Sequence, residues 1–121
     1  MIRDDVLDFI RRYIKTIWSL ELLLLVRSDT QRAWTAGDLV KELRSSHKIV
    51  SEALSVFVQA GILRETDAGF LFAPVTSKFE ELIGELGREF AERPSSVINA
   101  IVEAPSSKLQ DFANAFRIKR D

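Results

Sequence analysis

From Asp4 to Arg27 the apolar residues Val6, Ile10, Tyr13, Ile14, Ile17, Leu20 and Leu24 fall three or four apart, with Arg3, Arg11, Arg12 and Lys15 mostly on the other side. That spacing predicts one long helix. Its second half, Leu20 to Val26, is apolar nearly all round, and such a helix must be covered on every side, by the rest of the chain or by a second copy. A homodimer is the expectation. Ser28, Asp29 and Thr30 then supply turn chemistry, and Arg32-Ala33-Trp34 reads as a brief extended segment. Thr35 stands as an N-cap with Asp38 three residues on, ahead of the inner positions Leu39, Val40 and Leu43 of a helix ending near Arg44. Past a polar corner at Ser45 and Ser46, the residues Ile49, Val50, Ala53, Leu54, Phe57 and Val58 mark the inner face of another helix, which Gly61 closes as a left-handed residue would.

The period then changes. Ile62 to Asp67 and Phe70 to Pro74 are short apolar-rich runs separated by Ala68-Gly69, a β-hairpin signature, and Pro74 cannot donate to a ladder. From Thr76 to Glu92 the residues Phe79, Leu82, Ile83, Leu86 and Phe90 predict a helix opposite a stripe of Glu81, Glu85 and Glu89. That stripe reads as a solvated face relieved by Arg88 and Arg93. Arg93-Pro94 stops this helix. Two shorter ones follow, with Val97, Ile98, Ile101 and Val102 inside the first and Leu109, Phe112, Ala113 and Phe116 inside the second. The expected fold class is mainly α with a small β-hairpin, in a single domain. Its parts are an N-terminal helix over 1–33 (the candidate dimerisation element), a core over 34–74 and C-terminal helices over 75–121.

Composition narrows the function classes. The chain has 121 residues, 46% of them hydrophobic and 29% charged, and 17 Lys and Arg against 18 Asp and Glu. This is the composition of an ordinary globular domain without the bulk positive charge of many nucleic-acid binders, so any contact with a polyanion must come from a local patch. There is no Cys, which removes disulfides, thiolate zinc sites and cysteine nucleophiles. The stretch from Ile17 to Val26 is too short to span a bilayer and contains Glu21, and Asp4, Asp5 and Asp8 stand where an export signal would be basic. A cytoplasmic protein without a membrane partner is expected. With one histidine, His47, and no Gly-rich phosphate loop, H-E-x-x-H or G-x-S-x-G, neither catalysis nor a cofactor or metal site is expected.

Residues 34 to 73 resemble the winged helix-turn-helix of bacterial transcription regulators. The resemblance is carried by Trp34-Thr35-Ala36-Gly37-Asp38-Leu39-Val40, by Val50-Ser51-Glu52-Ala53-Leu54 with Phe57, and by Ala60-Gly61-Ile62-Leu63 directly before the hairpin. It covers about a third of the chain. It implies a sequence-specific regulator that binds double-stranded DNA as a homodimer, with the second helix of the pair in the major groove. On that basis Ser46, His47, Lys48, Ser51, Glu52 and Ser55 would read bases, Lys41, Arg44 and Lys48 would hold phosphates, and Arg64 at the base of the wing would add a further contact.

Charge departs from that pattern. Between residues 35 and 73 the basic residues Lys41, Arg44, Lys48 and Arg64 face five acidic ones, Asp38, Glu42, Glu52, Glu65 and Asp67. Glu65 and Asp67 lie in the hairpin tip, Glu65-Thr66-Asp67-Ala68-Gly69, where phosphate would repel them. Val56, expected to be exposed on the outer side of its helix, points to contact with protein. The alternative function is therefore a winged-helix interaction module or adaptor that binds a protein partner and no DNA.

Overall fold

The structure is a computed structural model that describes residues 2–103. Among these residues it is mainly helical, with six helices and one two-stranded antiparallel hairpin. The order is α1 (Asp4–Tyr13), α2 (Ile17–Ser28), α3 (Ala36–Leu43), α4 (His47–Ala60), β1 (Leu63–Thr66), β2 (Gly69–Phe72), α5 (Ser77–Glu92) and α6 (Pro94–Glu103). The expected helix around Leu109, Phe112 and Phe116 lies outside the described residues.

The single long N-terminal helix is corrected to two. The Ile14 N–H still donates to the Ile10 carbonyl at 2.9 Å, but Ile14 is itself extended, and Thr16 caps α2 by accepting from the Ser19 N–H at 3.0 Å. The stripe ran on in phase because Ile14 and Ile17 both serve the core while the backbone between them leaves the helix. The break has a packing purpose: α1 lies against α5 and α6, whereas α2 packs on α3, α4 and β2. Much of the apolar circumference of α2 is covered by the chain itself. Leu20, Leu22, Leu23 and Val26 are buried, and Leu24 reaches Gly87 on α5, where a Cβ would stand 3.4 Å from the leucine methyl.

One continuous core joins these helices through Val6, Ile10, Leu23, Leu39, Phe57, Ile62, Ile83 and Leu86, all essentially inaccessible to water. Beside it, Phe79 meets Phe9 and Tyr13 edge-on at centroid distances of 6.1 and 5.7 Å. Above that cluster Arg3 bonds Asp5 and Glu81, and Lys78 bonds Asp5 at 3.0 Å, tying the starts of α1 and α5 together. Arg3 and Lys78 hold the Asp5 carboxyl well below the usual carboxylate range, Arg3 having the larger effect.

The acidic stripe on α5 is only partly a solvated face. Glu81 and Glu85 pair with Arg3 and Arg88, but Glu89 is buried and reaches Arg93, one turn on, at 3.4 Å. The stem of Glu89 lies among the packed helices while Arg93 stays half exposed, so the charge is met at the surface.

The hairpin pairs Leu63 with Phe72, Arg64 with Leu71, Glu65 with Phe70 and Thr66 with Gly69. Its second strand is also bridged on the far side. Trp34 and Phe70 exchange two backbone hydrogen bonds of 2.9 and 2.7 Å, so of the expected extended segment at residues 32–34 only Trp34 bridges the hairpin, while the Arg32 N–H turns back to the Asp29 carbonyl.

Candidate nucleic-acid interface

Local chemistry fixes the helix pair α3–α4. Thr35 accepts from the Asp38 N–H at 3.0 Å while the Asp38 carboxylate accepts from the Thr35 N–H at 3.3 Å, the reciprocal box that satisfies two free donors. That bond holds the Asp38 carboxyl below its ordinary value. At the corner Arg44 is left-handed, with φ +53°, and the Ser45 N–H donates to the Val40 carbonyl at 3.1 Å. Ser46 then caps α4, accepting from the Ile49 N–H at 3.2 Å, and Gly61, with φ +81°, ends it.

With both ends pinned, α4 buries Val50, Ala53, Leu54 and Phe57 and turns Lys48, Ser51, Glu52, Ser55 and Gln59 outward. All nine residues proposed from the sequence (Lys41, Arg44, Ser46, His47, Lys48, Ser51, Glu52, Ser55 and Arg64) are exposed. His47 is the first residue of α4. Among the described residues Lys41, Arg44, Lys48 and Arg64 take part in no ion pair, whereas Arg3, Arg12, Lys78, Arg88 and Arg93 each do. Unpaired among the described residues, Lys41, Arg44 and Lys48 are placed to meet an outside anion.

Eight of the nine belong to the end of α3, the corner and the outer side of α4. Arg64 does not join them. Side chains alternate along a strand, and because Leu63 is buried and Glu65 lines the cleft beside α4, Arg64 projects from the opposite face of the hairpin. Val56 is also corrected: it is half-buried, in a small cleft with Tyr13 and Thr16 where α1 gives way to α2. Its cover comes from residues on both sides of the break, Tyr13 before it and Ser19 after it.

Two features escaped the sequence reading. A cleft of about 300 Å³ runs between α4 and the hairpin, floored by Leu54, Val58, Ala36 and Phe70 and edged by Ser51, Ser55, Gln59 and Glu65. The alternation Leu63-Arg64-Glu65-Thr66 was the available signal for Glu65. The second feature is the Arg32 guanidinium, which stacks 3.6 Å above the Trp34 ring, whose buried Nε1–H has no acceptor among the described residues.

The strained corner gives a test with two opposite readouts. Arg44→Gly relieves a left-handed non-glycine residue and is expected to stabilise the fold by about 0.5–1 kcal/mol. The same change removes a candidate phosphate contact from each protomer, so the salt-dependence slope of duplex binding by a homodimer should shrink by about 2. Urea unfolding and a salt series measure the two separately, and a less stable variant would contradict the strain account.

Comparison with known proteins returns no match: no family model, no curated protein and no solved structure is similar to this chain. No helix among the described residues is long and apolar enough to cross a membrane.

Proposed function

We propose that this chain is a winged helix-turn-helix transcription regulator of the bacterial cytoplasm, binding double-stranded DNA as a homodimer and catalysing nothing itself. In this reading α3 and α4 are the helix-turn-helix, β1 and β2 are the wing, and the Trp34 bridge is the short third strand beside it. One observation carries it: the outer side of α4 is bare and polar, and Lys41, Arg44 and Lys48 surround its N-terminal end without partners among the described residues. A helix so placed enters the major groove N-terminus first, with serine hydroxyls and Glu52 at base edges and the cations on flanking phosphates. Two copies would set their α4 helices in successive grooves, about 34 Å apart.

Selection of duplexes from a random-sequence library at low and moderate salt tests this. A specific sequence should be retained, with a log-affinity against log-salt slope of roughly −5 for two protomers contributing three cations each. Lys48→Ala should weaken all duplexes alike, and Ser51→Ala should change which is preferred. Absence of enrichment at either salt would end the DNA reading, and a monomer at tens of micromolar in sedimentation would end the dimer.

A second reading is favoured by a different observation. Glu65 and Asp67 occupy the hairpin where a wing would meet phosphate, and the cleft between hairpin and α4 is largely apolar. Both suit an adaptor that docks a protein. Failure of duplex selection would leave this reading standing.

A further inference from the structure

On a two-stranded hairpin packed against a helix, the inward face should be apolar throughout. Leu63 and Phe72 obey this, being cross-strand partners on the side facing the core, with Leu63 buried. The next pair along that face is Glu65 opposite Phe70, so an exposed carboxylate stands beside an aromatic ring at the edge of the cleft. No cation among the described residues pairs with it. The basic neighbour Arg64 leaves from the other face. The cleft that Glu65 edges is floored by Leu54, Val58 and Phe70, and its α4 rim offers the hydroxyls of Ser51 and Ser55.

We propose that the cleft between α4 and the hairpin is a binding site for a small organic cation, a primary amine carried on one ring or a short aliphatic body. Its apolar body covers Val58 and Phe70. Its ammonium lies between the Glu65 carboxylate and the Phe70 ring, where ion-pair and cation–π attraction act together. The ammonium has three N–H donors, and the Ser51 or Ser55 hydroxyl accepts one of them. About 300 Å³ is the lower end of small-molecule sites, matching a single ring and not a cofactor. Anions are disfavoured because the lining carries no positive charge and one negative one. The same argument keeps a DNA phosphate out of this cleft, so the site is separate from the phosphate-binding corner at Arg44 and Lys48. A bound amine nonetheless covers Ser51 and Ser55, and if α4 reads DNA, the amine competes with the duplex.

Titration of the ¹⁵N-labelled full chain at pH 7 with phenethylamine, 2-phenylethanol and phenylacetate tests the site without any DNA. These share a ring and differ in charge. Phenethylamine should move the amide signals of Ser51, Ser55, Val58, Glu65 and Phe70 and bind about threefold more tightly than the alcohol, as expected of a partly exposed ion pair. Phenylacetate should bind most weakly. Glu65→Gln should bring the amine to the affinity of the alcohol, and Glu65→Lys should pass the preference to phenylacetate, both with otherwise superimposable spectra because the side chain is exposed. Equal affinity for amine and carboxylate in the unaltered chain, signals moving away from the cleft, or no movement at tens of millimolar amine would each overturn the proposal. Duplex selection is a separate measurement, so its failure leaves the outcome of this titration unaffected.

Discussion

Gly69→Ala is expected to destabilise the fold by about 3–5 kcal/mol, combining a conformation nearly closed to alanine with the loss of two backbone hydrogen bonds. Gly69 has φ +137°, a region that L side chains rarely enter, and a Cβ there would stand 2.5 Å from the Trp34 carbonyl oxygen. That oxygen accepts from the Phe70 N–H at 2.7 Å. The backbone of residue 34 cannot yield without breaking the bridge, and the bridge is what fixes β2 beside the start of α3. Guanidinium unfolding measures the loss, and hydrogen exchange locates it: the Trp34 and Phe70 amides, protected in the unaltered chain, should exchange rapidly. Ala68→Gly, at the exposed tip next door, is the control and should stay within about 0.5 kcal/mol. A similarly small effect for Gly69→Ala would mean that the hairpin is held in some other way.

Phe57→Ala is expected to cost about 3–5 kcal/mol, the range for truncating a fully buried aromatic side chain. Phe57 is completely buried on α4, the helix that packs against α1, α2, α3 and β1, and its carbonyl accepts from the Ile62 N–H at 2.9 Å where the chain turns into the hairpin. Removing the ring leaves a cavity that four elements would have to move to fill. Phe57→Leu, which keeps most of the volume, should cost less than about 1.5 kcal/mol. Ser55→Ala, on the opposite side of the same helix, should be near neutral for stability. Thermal unfolding of the three variants checks the order. A Phe57→Ala protein as stable as the Ser55→Ala one would show that α4 is not the centre of this core.

The particular residues explain which features could be read along the chain. Thr35 with Asp38, Ser46 and Gly61 each act on backbone groups within four positions, so the ends of α3 and α4 were visible without knowledge of the fold. The hairpin was visible for the same reason, since a change of period from 3.6 to 2 needs only a dozen residues to show itself. The break at Ile14–Thr16 was not. Ile14 and Ile17 keep helical spacing on both sides of it, and the Thr16 cap is recognisable only once the interruption is known. Glu89 and Val56 were misplaced because their cover comes from elsewhere: Val56 lies against a cleft formed with Tyr13 and Thr16, some forty residues earlier.

The candidate site divides in the same way. That Lys48, Ser51, Glu52 and Ser55 share one side of a helix follows from 3.6 residues per turn, and their exposure follows from the apolar residues opposite. The cleft is different, because it exists only where Val58 on α4 comes beside Glu65 and Phe70 on the hairpin. Start and stop signals, turns and the amphipathic side of each helix are written in neighbouring residues, since the forces behind them reach a turn or two along the backbone. Which surfaces meet, whether α2 needs outside cover, and where a carboxylate ends up beside a ring depend on contacts between segments far apart in sequence, and those come into being only when the chain has closed on itself.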